Sequence, residues 1–162
     1  LIDLLFRLAY RNAYRLMRIY WAVRHPRVHG ALVAIWHDGK ILLVQNSYVG
    51  YRSLPGGYVH SNETGRDAAL RELREETGIH ASAADLKPII DEHHEWEGKQ
   101  EHIEIFDLDV NERPRIAVDN REVVEADFFS PHEALRLQLF PPIRRVIERR
   151  LGTSARAAHL TN

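Results

Sequence analysis

Gly57-Tyr-Val-His-Ser-Asn-Glu63-Thr-Gly-Arg-Asp-Ala-Ala-Leu-Arg71-Glu72-Leu73-Arg74-Glu75-Glu76-Thr77-Gly78-Ile79 reads as a glycine-bearing loop running into a helix. The helix spans about Thr64 to Thr77, and Gly78 terminates it. Its Glu72, Glu75 and Glu76 stand at i, i+3 and i+4, so their carboxylates crowd one face within about one turn. Leu70 and Leu73 point elsewhere to anchor the helix, and Ala68 and Ala69 leave room beside the carboxylates. Like charges at this spacing repel by a few tenths of a kcal/mol per pair, so an empty cluster is unfavourable. Taken as bare charge, such a cluster is also what a solvated helix surface looks like. Hard oxygen donors gathered without His or Cys suit Mg²⁺ or Mn²⁺, which leave coordination positions open to water and phosphate oxygens.

The spacing separates the two readings. The segment runs glycine, five residues, glutamate, seven residues, then Arg-Glu-apolar-any-Glu-Glu-any-Gly-apolar. Gly57, Glu63, Arg71, Glu72, Leu73, Glu75, Glu76, Gly78 and Ile79 meet every fixed position, and in this it resembles the signature of the Nudix hydrolase family. Leu54-Pro55-Gly56 resembles the family's approach to the loop, while His60 and Asn62 depart from its common acid and glycine. The resemblance implies a metal-binding set of Glu72, Glu75 and Glu76, with the carbonyl of Gly57 and a later acid, Glu122 or else Glu125. It implies that Arg71 and Glu63 form an ion pair that orients the glutamate face, and that Glu72 or Glu75 accepts a proton from an attacking water. The implied activity is Mg²⁺-dependent cleavage of a phosphoanhydride bond in a nucleoside diphosphate linked to another group. The alternative from a different class is a Nudix-fold nucleotide- or RNA-binding module with little turnover. Isomerisation of an isoprenoid diphosphate, also known among proteins similar to this family, is expected to need a cysteine acid, and the chain has no cysteine.

Outward from this segment, Gly30 to Trp36 and Ile41 to Gln45 predict two buried strands joined by an Asp38-Gly39 turn. Leu86 to Trp96 and His102 to Val110 predict a further pair around Gly98, Arg115 to Val118 a short strand, and Val123 to Phe129 another. Ser130-Pro131-His132-Glu133 has the form of a capping box. Pro141 and Pro142 open a last helix that Gly152 is expected to close. The fold class is therefore α+β: a Nudix-like α/β/α sandwich with a mixed β-sheet and an extra N-terminal helix. The expected organisation is an N-terminal amphipathic helix and linker over 1–26, a hydrolase domain over 27–152 and a flexible tail over 153–162.

Residues 1–24 carry Arg7, Arg11, Arg15 and Arg18 as one stripe, which forbids a membrane span or signal-peptide core. The opposite face, with Leu1, Leu5, Leu8, Ile19 and Val23, is expected to bury itself on the protein's own core or on a second copy in a homodimer. A lipid surface or RNA is the competing use of such a helix. Tyr48, Tyr51, Arg52 and Trp96 can stack on a base or grip a phosphate, with Tyr51, Arg52 and Trp96 as the substrate-binding candidates. Packing is the ordinary alternative for all four. The histidines show no ligand spacing on any one element and are expected to decorate loops or the cleft.

The 162 residues suit one domain, with 44% hydrophobic and 28% charged side chains matching an average soluble fold. Lys and Arg total 22 against 23 Asp and Glu, so no global field recruits nucleic acid or a membrane surface. Absence of cysteine removes disulfides and thiol chemistry and fits a cytoplasmic setting.

Overall fold

The computed structural model describes residues 2–160, with side chains as far as Thr153. Its first element is helix α1, Ile2–Arg24. Strands β1 (Arg27–His37) and β2 (Lys40–Asn46) follow as the expected hairpin, with Asp38 and Gly39 both at positive φ in the turn. Two short strands, β3 (Arg52–Ser53) and β4 (Gly56–Tyr58), lead into helix α2, Gly65–Thr77. Then come β5 (Lys87–Trp96), β6 (Lys99–Asp109) and β7 (Val123–Phe129), the short α3 (Pro131–Ala134) and α4 (Pro141–Leu160).

These strands form one seven-stranded sheet with the path β3-β2-β1-β6-β5, to which β4 adds against β1 and β7 against β2. The β1–β6 pair is parallel and its neighbours are antiparallel, so the sheet is mixed as expected. Alternation along β1 sends its side chains to two cores. Leu32, Ala34 and Trp36 meet Ile103, Ile105 and the α4 residues Ile143, Val146 and Ile147. Ala31, Val33 and Ile35 meet Phe106, Leu108 and the α2 residues Ala68, Ala69 and Leu73. Each fully buried Leu or Ile in these layers contributes about 1.5–3 kcal/mol, which fixes the α2 axis against the sheet. Ala68 and Ala69 lie in this core and do not flank the carboxylates. Their small side chains instead let the helix come close to β1.

Three further sequence expectations change. Residues 115–118 form no strand; the Ala117 N–H donates to the Thr77 carbonyl at 2.8 Å, so this segment closes the end of α2 and never joins the sheet. Helix α4 passes through Gly152 to Leu160. A helical glycine costs about 1 kcal/mol, and the alanine- and arginine-containing sequence 155–158 continues the helix beyond it. Residues 161–162 of the expected tail lie outside the described residues.

The third concerns α1: its aliphatic face does not bury on the chain's own core, and the helix docks there through its arginine side instead. Arg7 Nε donates to the Asn120 carbonyl (2.8 Å), Arg11 Nε to the Ser47 carbonyl (2.9 Å), and Asp3 pairs with Arg121 at 3.0 Å. Trp21 is the buried residue of the helix, while Leu5, Leu8, Leu16, Ile19 and Val23 are exposed; Leu1 of the expected face lies outside the described residues. On the arginine side lie aromatic residues of the helix, with Tyr14 packed edge to face on Trp21 and Tyr10 and Tyr14 both against Tyr48. No helix among the described residues is long and apolar enough to cross a membrane.

Candidate active site

Helix α2 is fixed at both ends. Thr64 and Asp67 form a capping box, with Thr64 accepting from the Asp67 N–H, and Gly78 adopts a left-handed cap whose N–H reaches the Arg74 carbonyl. Before it, Gly56 sits at φ 151°, a backbone state that favours glycine, and a Cβ there would meet the Ala31 carbonyl oxygen at 2.3 Å. The loop can therefore lie flat against β1 only with glycine at 56. At Gly57 a Cβ would stand 2.4 Å from Glu72 Oε1, so the glutamate carboxylate rests directly over this peptide.

Arg71 is the hub of the acidic helix face. Its Nη2 lies 2.7 Å from Glu63 Oε1, its Nη1 lies 2.6 Å from Glu72 Oε1 and 3.4 Å from Glu75 Oε2, and Nη2 also donates to the Tyr58 carbonyl (3.1 Å). The paired guanidinium, aided by the His60 N–H, holds Glu63 down to about 2, and the same contact with Glu63 raises Arg71. The Arg71–Glu63 pair expected from the sequence is thus present. It ties the loop between β4 and α2 to the glutamate face.

Glu76 is buried and accepts from the Gly56 N–H at 2.8 Å. Burial pushes its carboxyl up to about 8; the Gly56 N–H opposes this, and the charges of Glu72 and Glu122 add to it. Glu122 comes from the turn before β7, where the Asp119 carboxylate accepts from the N–H groups of Arg121, Glu122 and Val123 (3.0, 3.1 and 3.2 Å). Tyr48 donates its O–H to Glu122 at 3.0 Å, and burial together with Glu72 and Asp119 raises the Glu122 carboxyl despite that bond. The fold therefore brings Glu72, Glu76 and Glu122 together from two elements. Glu75 stands on the exposed flank, and Glu125 is turned away into a 2.8 Å pair with Arg52.

A cavity of about 340 Å³ opens beside this group. Gly56, Gly57, Asn46, Tyr48 and Glu122 line its acidic end. Tyr51 and Trp96 stand edge to face in its wall, with centroids 5.9 Å apart, both against Phe140. Arg52 departs from expectation. Tyr51 lines the cavity, but Arg52 does not: its guanidinium pairs with Glu125 and covers the Phe129 ring at 5.0 Å.

Three contributors escaped the sequence reading. Lys99 and Glu101 form a buried pair on the cavity floor, 2.6 Å apart, with Lys99 Nζ 4.2 Å from the Trp21 ring centroid. Burial opposes the charge on Lys99, yet Tyr58 and Glu101 outweigh it and raise the amine. The third is α1, which supplies Tyr10, Tyr14 and Trp21 to the cavity, with the Tyr14 hydroxyl bonded to Glu97. Deleting residues 1–24 should raise the KM for any nucleotide substrate about 5–10-fold, the equivalent of losing an aromatic contact of roughly 1 kcal/mol, and lower the melting temperature. Unchanged KM and melting temperature together would remove α1 from the site.

A carboxylate-rich loop–helix–loop thus lies on a mixed sheet between helices, beside a cavity with aromatic walls. Residues 26–150 match the family model described as the NUDIX domain, and the chain belongs to this family. It is 32% identical over 111 residues to the CTP pyrophosphohydrolase of Escherichia coli K12, covering 66% of this chain and 78% of that protein. It is 44% identical over 52 residues to the uncharacterized Nudix hydrolase YvcI of Bacillus subtilis 168; that alignment takes in 32% of this chain and only 33% of the relative's length. The solution structure of the E. coli ORF135 protein superimposes with a TM-score of 0.62 at 28% identity, covering 82% of this chain and 93% of that one.

Proposed function

We propose that the chain is a Mg²⁺- or Mn²⁺-dependent pyrophosphohydrolase that cleaves the phosphoanhydride bond of a nucleoside diphosphate linked to a further group. The observation that carries this reading is the charge-coupled set of Glu72 and Glu76 on α2 with Glu122, which lines a cavity walled by aromatic rings beside Gly56 and Gly57. Binding a base would need the rings but not the buried carboxylates. The donor set fits a hard divalent cation, because it is all oxygen and because burial and mutual repulsion raise Glu76 and Glu122 together. Glu72, Glu75, Glu76, Glu122 and the Gly57 carbonyl would hold it. When bound, it neutralises the diphosphate and acidifies water.

The remaining work belongs to the chain's own groups. Tyr51 and Trp96, with the α1 aromatics, present faces on which a base stacks, which orients the diphosphate toward the glutamates. Glu72, lying over the Gly57 peptide at the cavity edge, takes the proton from the attacking water in preference to the exposed Glu75. Arg71 and Glu63 position that glutamate and do not touch substrate. The 32% identical CTP pyrophosphohydrolase agrees with a nucleotide anhydride as the substrate class. Hydrolysis of a panel of nucleotide anhydrides with Mg²⁺ should release phosphate-bearing products and stop after EDTA treatment until metal is restored. Full activity after exhaustive chelation would defeat this reading.

A further inference from the structure

On the opposite face of the sheet from the cavity, β1, β6 and β5 place polar side chains where a core would otherwise continue. His29 pairs in register with His102, which pairs with His93, and Asp91 pairs with Glu104 in the adjacent row. The imidazoles stack, His29 on His102 with centroids 4.2 Å apart and His93 on His102 at 4.5 Å. Potential ligand atoms of His29, His102 and Glu104 all lie within 4.8 Å of one another. His29 Nε2 is 2.7 Å from Glu104 Oε1, and His102 Nε2 is 2.7 Å from Asp91 Oδ1. None of these residues is among the proposed ligands of the glutamate site, Gly57, Glu72, Glu75, Glu76 and Glu122, or in its Arg71–Glu63 mount.

We propose that His29, His102 and Glu104 form a second metal site, selective for a borderline transition-metal cation such as Zn²⁺, with Asp91 orienting His102 or completing the ligand set. Two imidazoles and one carboxylate suit Zn²⁺ and not Mg²⁺, which takes oxygen donors in octahedral geometry. A tetrahedral ion with bonds of 2.0–2.1 Å holds its ligands about 3.3 Å apart, so the widest pair here closes by roughly 1.5 Å at most. Ring rotation supplies that without moving the strands. A carboxylate on the second nitrogen of a ligating histidine is the arrangement that fixes its tautomer. The ligands also sit at a place where holding them matters. The Val59 N–H donates to the His29 carbonyl at 2.9 Å, and Glu104 lies so close beneath the start of α2 that a Cβ on Gly65 would stand 2.1 Å from its Oε1. A cation here would tie β1 and β6 to the loop that carries Glu63. Simple His–carboxylate pairing explains each contact singly. It does not explain why two such pairs and a third ring share one face of the sheet in register.

The test is equilibrium dialysis of the full chain against Zn²⁺ in excess Mg²⁺, which keeps the hard carboxylate site filled. The wild type should retain about one Zn²⁺ per chain, and so should Glu76→Gln, while His29→Gln/His102→Gln should bind at least ~10-fold more weakly. Co²⁺ in place of Zn²⁺ should give the visible bands of a nitrogen-ligated four- or five-coordinate ion in the wild type and lose them in the double variant. Should that variant misfold, the wild-type imidazole NMR resonances decide, since Zn²⁺ must shift those of His29 and His102. Failure of the wild type to retain Zn²⁺, retention unaffected by the double substitution, or unshifted resonances would each overturn the site.

Discussion

Glu76→Gln turns over a surrogate nucleotide anhydride at least ~10²-fold more slowly than the wild type at limiting Mg²⁺, while its metal-free form melts at the same temperature or higher. The substitution keeps size and polarity and keeps an oxygen to accept from the Gly56 N–H. It removes one anion from a group whose proposed work is charge neutralisation, and ~10² is the lower range for losing a positioned catalytic group. The stability half follows from burial. Glu76 holds its proton to about pH 8 in the metal-free fold against an ordinary value of 4.5. The proton is thus bound more tightly folded than unfolded, so this residue's contribution is fully present below pH 4.5 and is lost as the pH rises toward 8. Glutamine has no proton to lose. The melting advantage of the variant without metal should therefore be small near pH 5 and widen through pH 8, measured by calorimetry in EDTA. Near-normal turnover of the variant at limiting Mg²⁺ would remove Glu76 from the machinery.

How far the sequence carried depends on whether a feature is local or spread across strands. The glutamate face of α2, its caps and the Arg71–Glu63 pair all lie within 23 consecutive residues, and helix periodicity alone sets their neighbours. Glu122 does come near Glu76, although nothing local shows that Asp119 curls the chain to aim it. Arg52 departs from the cavity because Glu125 and Phe129 on β7 hold its guanidinium, partners more than seventy residues away that no local motif reveals. Lys99 and Glu101 were missed because the strand was started at His102. Extending its period of two backward from Ile105 and Ile103 puts Glu101 and Lys99 on the same inward face, so that signal was present. The same alternation turns His102 and Glu104 outward together. Their meeting with His29 depends on a parallel register between strands more than sixty residues apart, which no local pattern encodes.

Arg71→Ala should lose activity on the order of 10²-fold and, unlike Glu76→Gln, lose metal-free stability as well. The guanidinium contacts Glu63, Glu72, Glu75 and the Tyr58 carbonyl at once, so its removal leaves a loop untied and several carboxylates facing one another without a cation. Glu63, held at about 2 largely by Arg71, should lose that depression. A carboxyl lowered by folding stabilises above its unfolded value and ceases to do so as pH falls through the folded one; the stability gap between variant and wild type should therefore narrow as pH drops from 5 toward 2. Arg71→Lys separates charge from geometry, because an ammonium restores one positive charge but not the fork that reaches Glu63 and Glu72 together. Partial recovery of melting temperature with little recovery of turnover is the expected pattern for Lys. If Arg71→Ala instead melts with the wild type in EDTA and only its turnover falls, Arg71 acts on substrate directly and its assignment as the mount of the glutamate face is wrong.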